Sequence, residues 1–341
     1  LAVDGSFTLA PNSSGAVIIV NDAGLDLALS TMGGTFSGTA TTGNITQSDT
    51  LTITGAATFI TGVDGSSITL GDSANAFSAA VEMKADGGAE DFGNITFVDS
   101  AGIDFATSAG SNGDLYINSS TDGKVGGSLS VTATTGNITD TVALQVATTS
   151  SFTTSADDAT ITLNTPAALT GAVTLSTSGS AGHATIDNGT TILKIAASTV
   201  RGNLTLTSGA STSGSNYAIM DTGTLNVSGN LIATTDDNDG VIDLGSLAVN
   251  GSFDLTTDGT GNATVANATG LNFITSGIGG NLSATATTGN ITQSTGALTV
   301  TGTTTLITSA QAAMIDLTTI TTNGFTGELL ITTNDNDSPV D

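Results

Sequence analysis

Apolar and hydroxyl-bearing residues alternate along this chain in short runs, as in NLTLTS at 203–208, TLNVSG at 224–229 and SLSVTA at 128–133. A period of two over four to six residues predicts half-buried β-strands. Thr and Val are β-branched and suit a pleated surface. No window keeps a helical period for three turns. Gly-Asn and Gly-Ser steps between the runs predict positive-φ turns. Strands this short, with few hairpin signals, predict stacking of like upon like.

The same pattern recurs on a larger scale. The octapeptide Thr-Ala-Thr-Thr-Gly-Asn-Ile-Thr stands unchanged at 39–46, 132–139 and 285–292. Each copy follows a Gly-rich turn and a strand-like run: GGTFSG from Gly33, GGSLSV from Gly126, GGNLSA from Gly279. Each leads into another alternating stretch, such as LTITGAATFIT from Leu51. A looser unit, Gly-Asn/Ser-apolar-x-apolar, begins at Gly93, Gly202, Gly229 and Gly251. Recurrence every 20 to 35 residues or so marks a solenoid.

The expected fold is therefore all-β, a parallel β-helix running as one continuous β-solenoid over residues 1–341. At ~22–25 residues per coil the chain makes roughly 14 coils, which at ~4.8 Å per rung gives a rod of about 65–70 Å. Small interior residues fit a narrow stacked core, and Asn at equivalent turns is expected to form ladders. The alternative is a tandem array of β-sandwich domains, since Gly43 and Gly136 lie 93 residues apart. Gly136 and Gly289 are 153 apart, however, and a domain of fixed size would not give both spacings. Single coils can be inserted into a solenoid.

The two ends of the chain match its middle. GELLITTNDNDSPVD at 327–341 resembles GNLIATTDDNDGVID at 229–243, and LAVDGSFTLA at 1–10 resembles LAVNGSFDLT at 247–256. Residues 21–47 then follow the course of residues 267–293. A second Leu1 placed after Asp341 would reproduce residues 229–293 with small gaps. The chain is thus expected to be one period or subunit of a longer array, assembled with copies of itself end to end; trimming of a larger protein is the alternative. Neither terminal segment reads as a polar cap, and the start at Leu1, without Met, fits a processed piece.

Composition narrows the function. Thirty acidic against four basic residues give a net charge of −26, which disfavours nucleic acid and anionic membranes as partners and protects against side-by-side aggregation. No apolar run approaches the ~20 residues of a membrane span. There is no Cys, hence no disulfide or thiolate metal site. Thr is the main excess, at 66 of 341 residues, and charged residues are only 10%. Absent Cys and scarce Lys fit an extracellular protein.

Candidate chemistry is sparse. His183, with Asp187 four residues on, lacks the G-x-S-x-G elbow of a hydrolase and reads as a turn residue. Arg201, the sole Arg, with Lys194 makes a thin version of a lyase's basic cluster. The doublets Asp157-Asp158 and Asp236-Asp237 could be cast as a glycosidase pair, but neighbours on a strand point to opposite faces. Calcium is the better candidate. Asp236, Asp237, Asn238 and Asp239 before Gly240, and Asn334, Asp335, Asn336 and Asp337 at the matching place, are dense in hard oxygen donors, with Asp243 and Asp341 available to complete the shell. Neither cluster fits the EF-hand loop or the glycine-rich nonapeptide. Sequons such as the one at Asn44 arise by chance in a chain this rich in Asn and Thr.

GNLSATATTGNITQSTGALTVTGTTTLIT at 280–308, with SITLGDSANAFSAAVEM at 67–83 and AASTVRGNLTLTS at 196–208, resembles the repeats of filamentous-haemagglutinin-like bacterial giant adhesins. The resemblance implies a right-handed β-helix, secretion to the cell surface, and a place in adhesion or in an extracellular fibre. The expectation is a non-enzymatic structural filament, stalk or adhesin shaft. A glycan- or surface-binding adhesin segment is the alternative; it would show clustered surface aromatics, for which Phe36, Phe92, Phe97 and Phe105 are the scattered candidates. A carbohydrate-active β-helix enzyme ranks third.

Overall fold

A computed structural model describes residues 1–11, 14–85, 93–106, 114–117, 124–209 and 217–334. It contains strands and turns and, among the described residues, no helix. Contacts divide the chain into two units, Leu1–Ser178 and Gly179–Asp341. Each is a parallel β-solenoid. Every described strand pairing is parallel, which excludes antiparallel sandwiches.

One coil shows the plan. Ile45–Gln47, Leu51–Ile53 and Ala57–Thr61 follow one another. The first pairs with Leu25–Leu27 before it and with Ile68–Leu70 after it. The second pairs with Ser30–Met32 and Ala76–Phe77. The third pairs with Phe36–Ala40 and Val81–Ala85. Three ladders thus run in parallel, and like stacks on like. Coil length varies around this plan: Val17 pairs with Phe36, 19 residues on, whereas Ile95 pairs with Leu129, 34 residues on. The difference lies in the residues between strands, which vary in number from coil to coil.

Alternation decides the inside. In Leu129–Ala133 the residues Leu129, Val131 and Ala133 are buried, while Ser130 and Thr132 face outward. Most of the described phenylalanines are spent on the core. Phe36, Phe59, Phe77 and Phe97 form a chain of ring contacts with centroids 5.3, 6.1 and 5.2 Å apart, and Phe105 meets Phe152 edge to face. Phe36, Phe97 and Phe105 are therefore core residues rather than a surface row; Phe92 lies outside the described residues.

Candidate functional site

The most repeated feature is a corner, and its polar atoms connect one coil to the next. In the octapeptides the side-chain oxygens of Asn44, Asn137 and Asn290 accept the backbone N–H of Ser67, Thr160 and Met314, each in the following coil, at 2.8–2.9 Å. The hydroxyls of Thr42, Thr135 and Thr288 donate to carbonyls of the preceding coil, at Asp22, Ser100 and Ala268. The Gly-Asn unit does the same work elsewhere. Asn203 accepts from the N–H of Asn230, and Asn230 from that of Ser252, both at 2.9 Å. Asn262, Asn281 and Thr303 form a parallel series at 2.7 Å. His183 begins the first series, its Nδ1 accepting the N–H of Asn203 at 2.8 Å. His183 is a corner residue.

The glycine of the Gly-Asn unit has a different reason from the one expected. None of Gly43, Gly93, Gly202, Gly229 and Gly251 adopts positive φ; that conformation falls instead to Gly65, Gly179, Gly189, Gly259 and Gly296. A Cβ on Gly229 would instead run into Asn203 Oδ1 and lie 2.8 Å from the carbonyl carbon of Gly202. Glycine is required because the corner below occupies the space of a side chain.

A second set of polar groups is buried at the strand ends. Asn21 and Asn267 each make a paired bond to the coil beside them. The Val3 N–H donates to Asn21 Oδ1 at 3.0 Å and Asn21 Nδ2 donates back to the Val3 carbonyl at 2.8 Å; Val249 and Asn267 repeat this at 2.8 and 3.0 Å. Gln47 bonds to Asn75, and Gln293 to Asn323. Asp99 takes the place of Asn21 and Asn267 in its own coil, and Asp140 that of Gln47 and Gln293. Burial holds both carboxyls above the ordinary range, against backbone N–H groups that lower it. Aligning residues 21–27, 99–105 and 267–273 is the signal that would have found the first set, and aligning 45–48, 138–141 and 291–294 the second.

The acidic clusters separate into a described and an undescribed part. Asn238 and Asp239 have positive φ, as the tight turn requires. Asp239 Oδ1 accepts the Thr260 N–H at 2.6 Å, and Asn334 Nδ2 donates to the Ser309 carbonyl. Asp236 is pushed above the ordinary range by burial and by the nearby charges of Asp187, Asp237 and Asp258. Asp243 lies in strand Val241–Val249. Asp335, Asn336, Asp337 and Asp341 lie outside the described residues. Among the described residues no group of three or more His, Cys, Asp or Glu side chains is placed to hold a metal ion. Asp157 ends a strand and Asp158 follows it at φ 65°; Arg201 lies in the turn after Ser198–Val200, and Lys194 is central in Leu193–Ile195.

Three stretches, 14–84, 92–176 and 260–332, match one family model. The chain belongs to the family described as repeats of unknown function (DUF5649). Together the matches cover about two thirds of the chain. Each family repeat spans three turns of solenoid: the first reaches from Val17–Asn21 through Phe36–Ala40 and Ala57–Thr61 to Val81–Ala85. No curated protein and no solved structure matches the chain. The family membership accounts for the repetition and does not single out an adhesin. Among the described residues no helix is long and apolar enough to cross a membrane.

Proposed function

We propose that this repeat solenoid is a non-catalytic structural protein, the shaft of an extracellular filament, stalk or adhesin. One observation carries the reading: the side chains that recur most often, the octapeptide Asn and Thr, are committed to bonds between consecutive coils. Repetition of this kind serves extension. Parallel-ladder hydrogen bonds lie along the stacking direction, so tension is borne by the backbone itself. The outward Thr and Ser and the charge of −26 keep such a shaft solvated and separate from its neighbours.

A second reading, a glycan-binding adhesin segment, has one observation of its own. A shallow polar groove floored by glycine occurs at Asp4, Asp26 and Thr46 and again at the equivalent Asn250, Asn272 and Thr292. A glycan array read with the labelled chain tests it, and no retained sugar rejects it. The structural reading is tested by electron tomography of the source cells with an antibody to the chain. Label along filaments or stalks outside the cell is expected; label confined to the cell interior overturns it.

A further inference from the structure

We propose that the corner asparagines are N-glycosylation acceptors, modified on Nδ2 while Oδ1 keeps its bond between coils. The inference goes beyond the shaft reading and does not depend on it.

Seven Asn-x-Ser/Thr sequons coincide with corners: those of Asn44, Asn137 and Asn290 in the octapeptides, and those of Asn94, Asn203, Asn262 and Asn281 in the other Gly-Asn units. In each, Oδ1 accepts a backbone N–H of the next coil at 2.7–2.9 Å. The middle residue of each sequon points into the core and is no more than 2% exposed. The third residue, Thr or Ser, then returns to the outer surface, because alternate strand positions share a face. The amide and the hydroxyl that together define the acceptor are thus presented on the outside of a folded coil, with the residue between them buried. This is not the chance scatter expected of a chain rich in Asn and Thr. Nor does the corner itself demand it. Asn230 makes the same bond, to the Ser252 N–H at 2.9 Å, yet its outward third residue is Ile232. The hydroxyl is an addition to the corner.

The state of Nδ2 separates these sites from others. Among the described residues none accepts a hydrogen bond from the Nδ2 of these seven; six of the side chains are exposed and Asn203 is half-buried. An amide nitrogen carries two hydrogens, and glycosylation replaces one of them. Nδ2 attacks the anomeric carbon of a phosphate-activated sugar, nucleotide-borne or lipid-linked. The N–C bond forms, the C–O bond to phosphate breaks, the phosphate ester leaves, and the proton from nitrogen passes to a base of the transferase. Oδ1 takes no part, so the corner bond survives in the product. Asn188 and Asn267 also head sequons but are the opposite case. Both are 0% exposed, and their Nδ2 groups donate to the carbonyls of Thr191, and of Val249 and Gly270. A sugar there would break those bonds and meet the core.

Mass spectrometry of glycopeptides from the full chain, purified from its source cells, reads each site separately. Sugar is expected on the corner asparagines at least tenfold above Asn188 and Asn267. A single hexose per site points to a nucleotide-borne donor, a uniform preassembled oligosaccharide to a lipid-linked one. In the same cells Thr292→Val should cut occupancy of Asn290 at least tenfold, and Thr292→Ser should restore it. Exchange of the Met314 amide should be equally slow in this chain and in chain made by a host without the transferase. No sugar at any corner, sugar on Asn188 and Asn267 as often as on the corners, occupancy of Asn290 indifferent to Thr292→Val, or a Met314 amide that exchanges tenfold faster once glycosylated overturns the proposal.

Discussion

Replacing Asp99 with Asn should stabilise the protein at neutral pH. Asp99 ends strand Ile95–Asp99 at 2% exposure, and its Oδ1 accepts the Phe77 N–H at 3.0 Å. Its counterparts Asn21 and Asn267 accept an equivalent bond and also donate. Asn267 Nδ2 reaches the carbonyls of Val249 at 3.0 Å and Gly270 at 2.6 Å; Asn21 Nδ2 reaches those of Val3 at 2.8 Å and Gly24 at 2.6 Å. A carboxylate has no proton to give to such carbonyls. Two regained bonds at roughly 1 kcal/mol net each place the gain of D99N near 1–2 kcal/mol. The gain must depend on pH. Burial raises the Asp99 carboxyl above its unfolded value, so the stability tied to its protonated form is fully present below about pH 3.8 and is lost as pH rises through the raised value. Wild type should therefore approach D99N on acidification. Urea unfolding of both proteins at pH 7 and near pH 4, with hydrogen exchange at Phe77 and Ala101, measures the difference. A loss of stability at pH 7, or a gain that does not shrink at low pH, would refute the reasoning.

Four further outcomes follow from the corners, the buried groups and the charge. Gly229→Ala should cost about 2–5 kcal/mol by overpacking and by displacing Asn203 from the Asn230 N–H. Asn203→Ala should relieve only part of that cost, because the Gly202 backbone still crowds the new Cβ; a double-mutant cycle that is additive within ~0.5 kcal/mol sinks the account. Thr304 Oγ1 is buried without a hydrogen-bond partner, so Thr304→Val should raise the midpoint of thermal unfolding, by about 1 kcal/mol in stability, and a lowered midpoint counts against it. Burial also raises the carboxyls of Asp140, Asp236 and Asp254, while bonds from Thr318 lower that of Asp316. The raised set dominates, so the melting temperature should climb as pH falls from 7 towards about 4.5; a steady decline over that range contradicts it. Chelation with EDTA should leave the melt unchanged, because Asp239 accepts a backbone N–H and no described carboxylates converge; a fall reversed by calcium would restore Asp236 to Asp239 as ligands.

The strands were legible in the sequence because alternation is local: Leu129, Val131 and Ala133 declare their shared face without help from any other coil. Stacking was legible because the octapeptides agree letter for letter. What escaped was whatever depends on the neighbouring coil. The glycine of Gly-Asn looks like a turn former until Asn203 is seen filling the space over Gly229. Asn21 and Asn267 look like loop residues, since a polar side chain after a strand predicts solvent, yet both are buried because each completes a paired bond to an adjacent backbone. Phe36 and Phe97 were indistinguishable from surface aromatics because their contacts span separate turns. Of the acidic clusters, sequence could count donors but not aim them: Asp239 points at a backbone amide rather than at its neighbours.

The corner contact amounts to a rule of inheritance. At the Gly-Asn corners each coil asks two things of the next, a glycine where its Asn side chain projects and an N–H for that side chain to hold; the octapeptide Asn asks only for the N–H, which follows Ser66, Ala159 or Ala313. Any coil that honours both can follow any other, whatever the length of its loops. Gain or loss of one such coil therefore leaves the corners on either side able to meet. A lineage built on this rule can alter its reach in a single genetic event without redesigning a core.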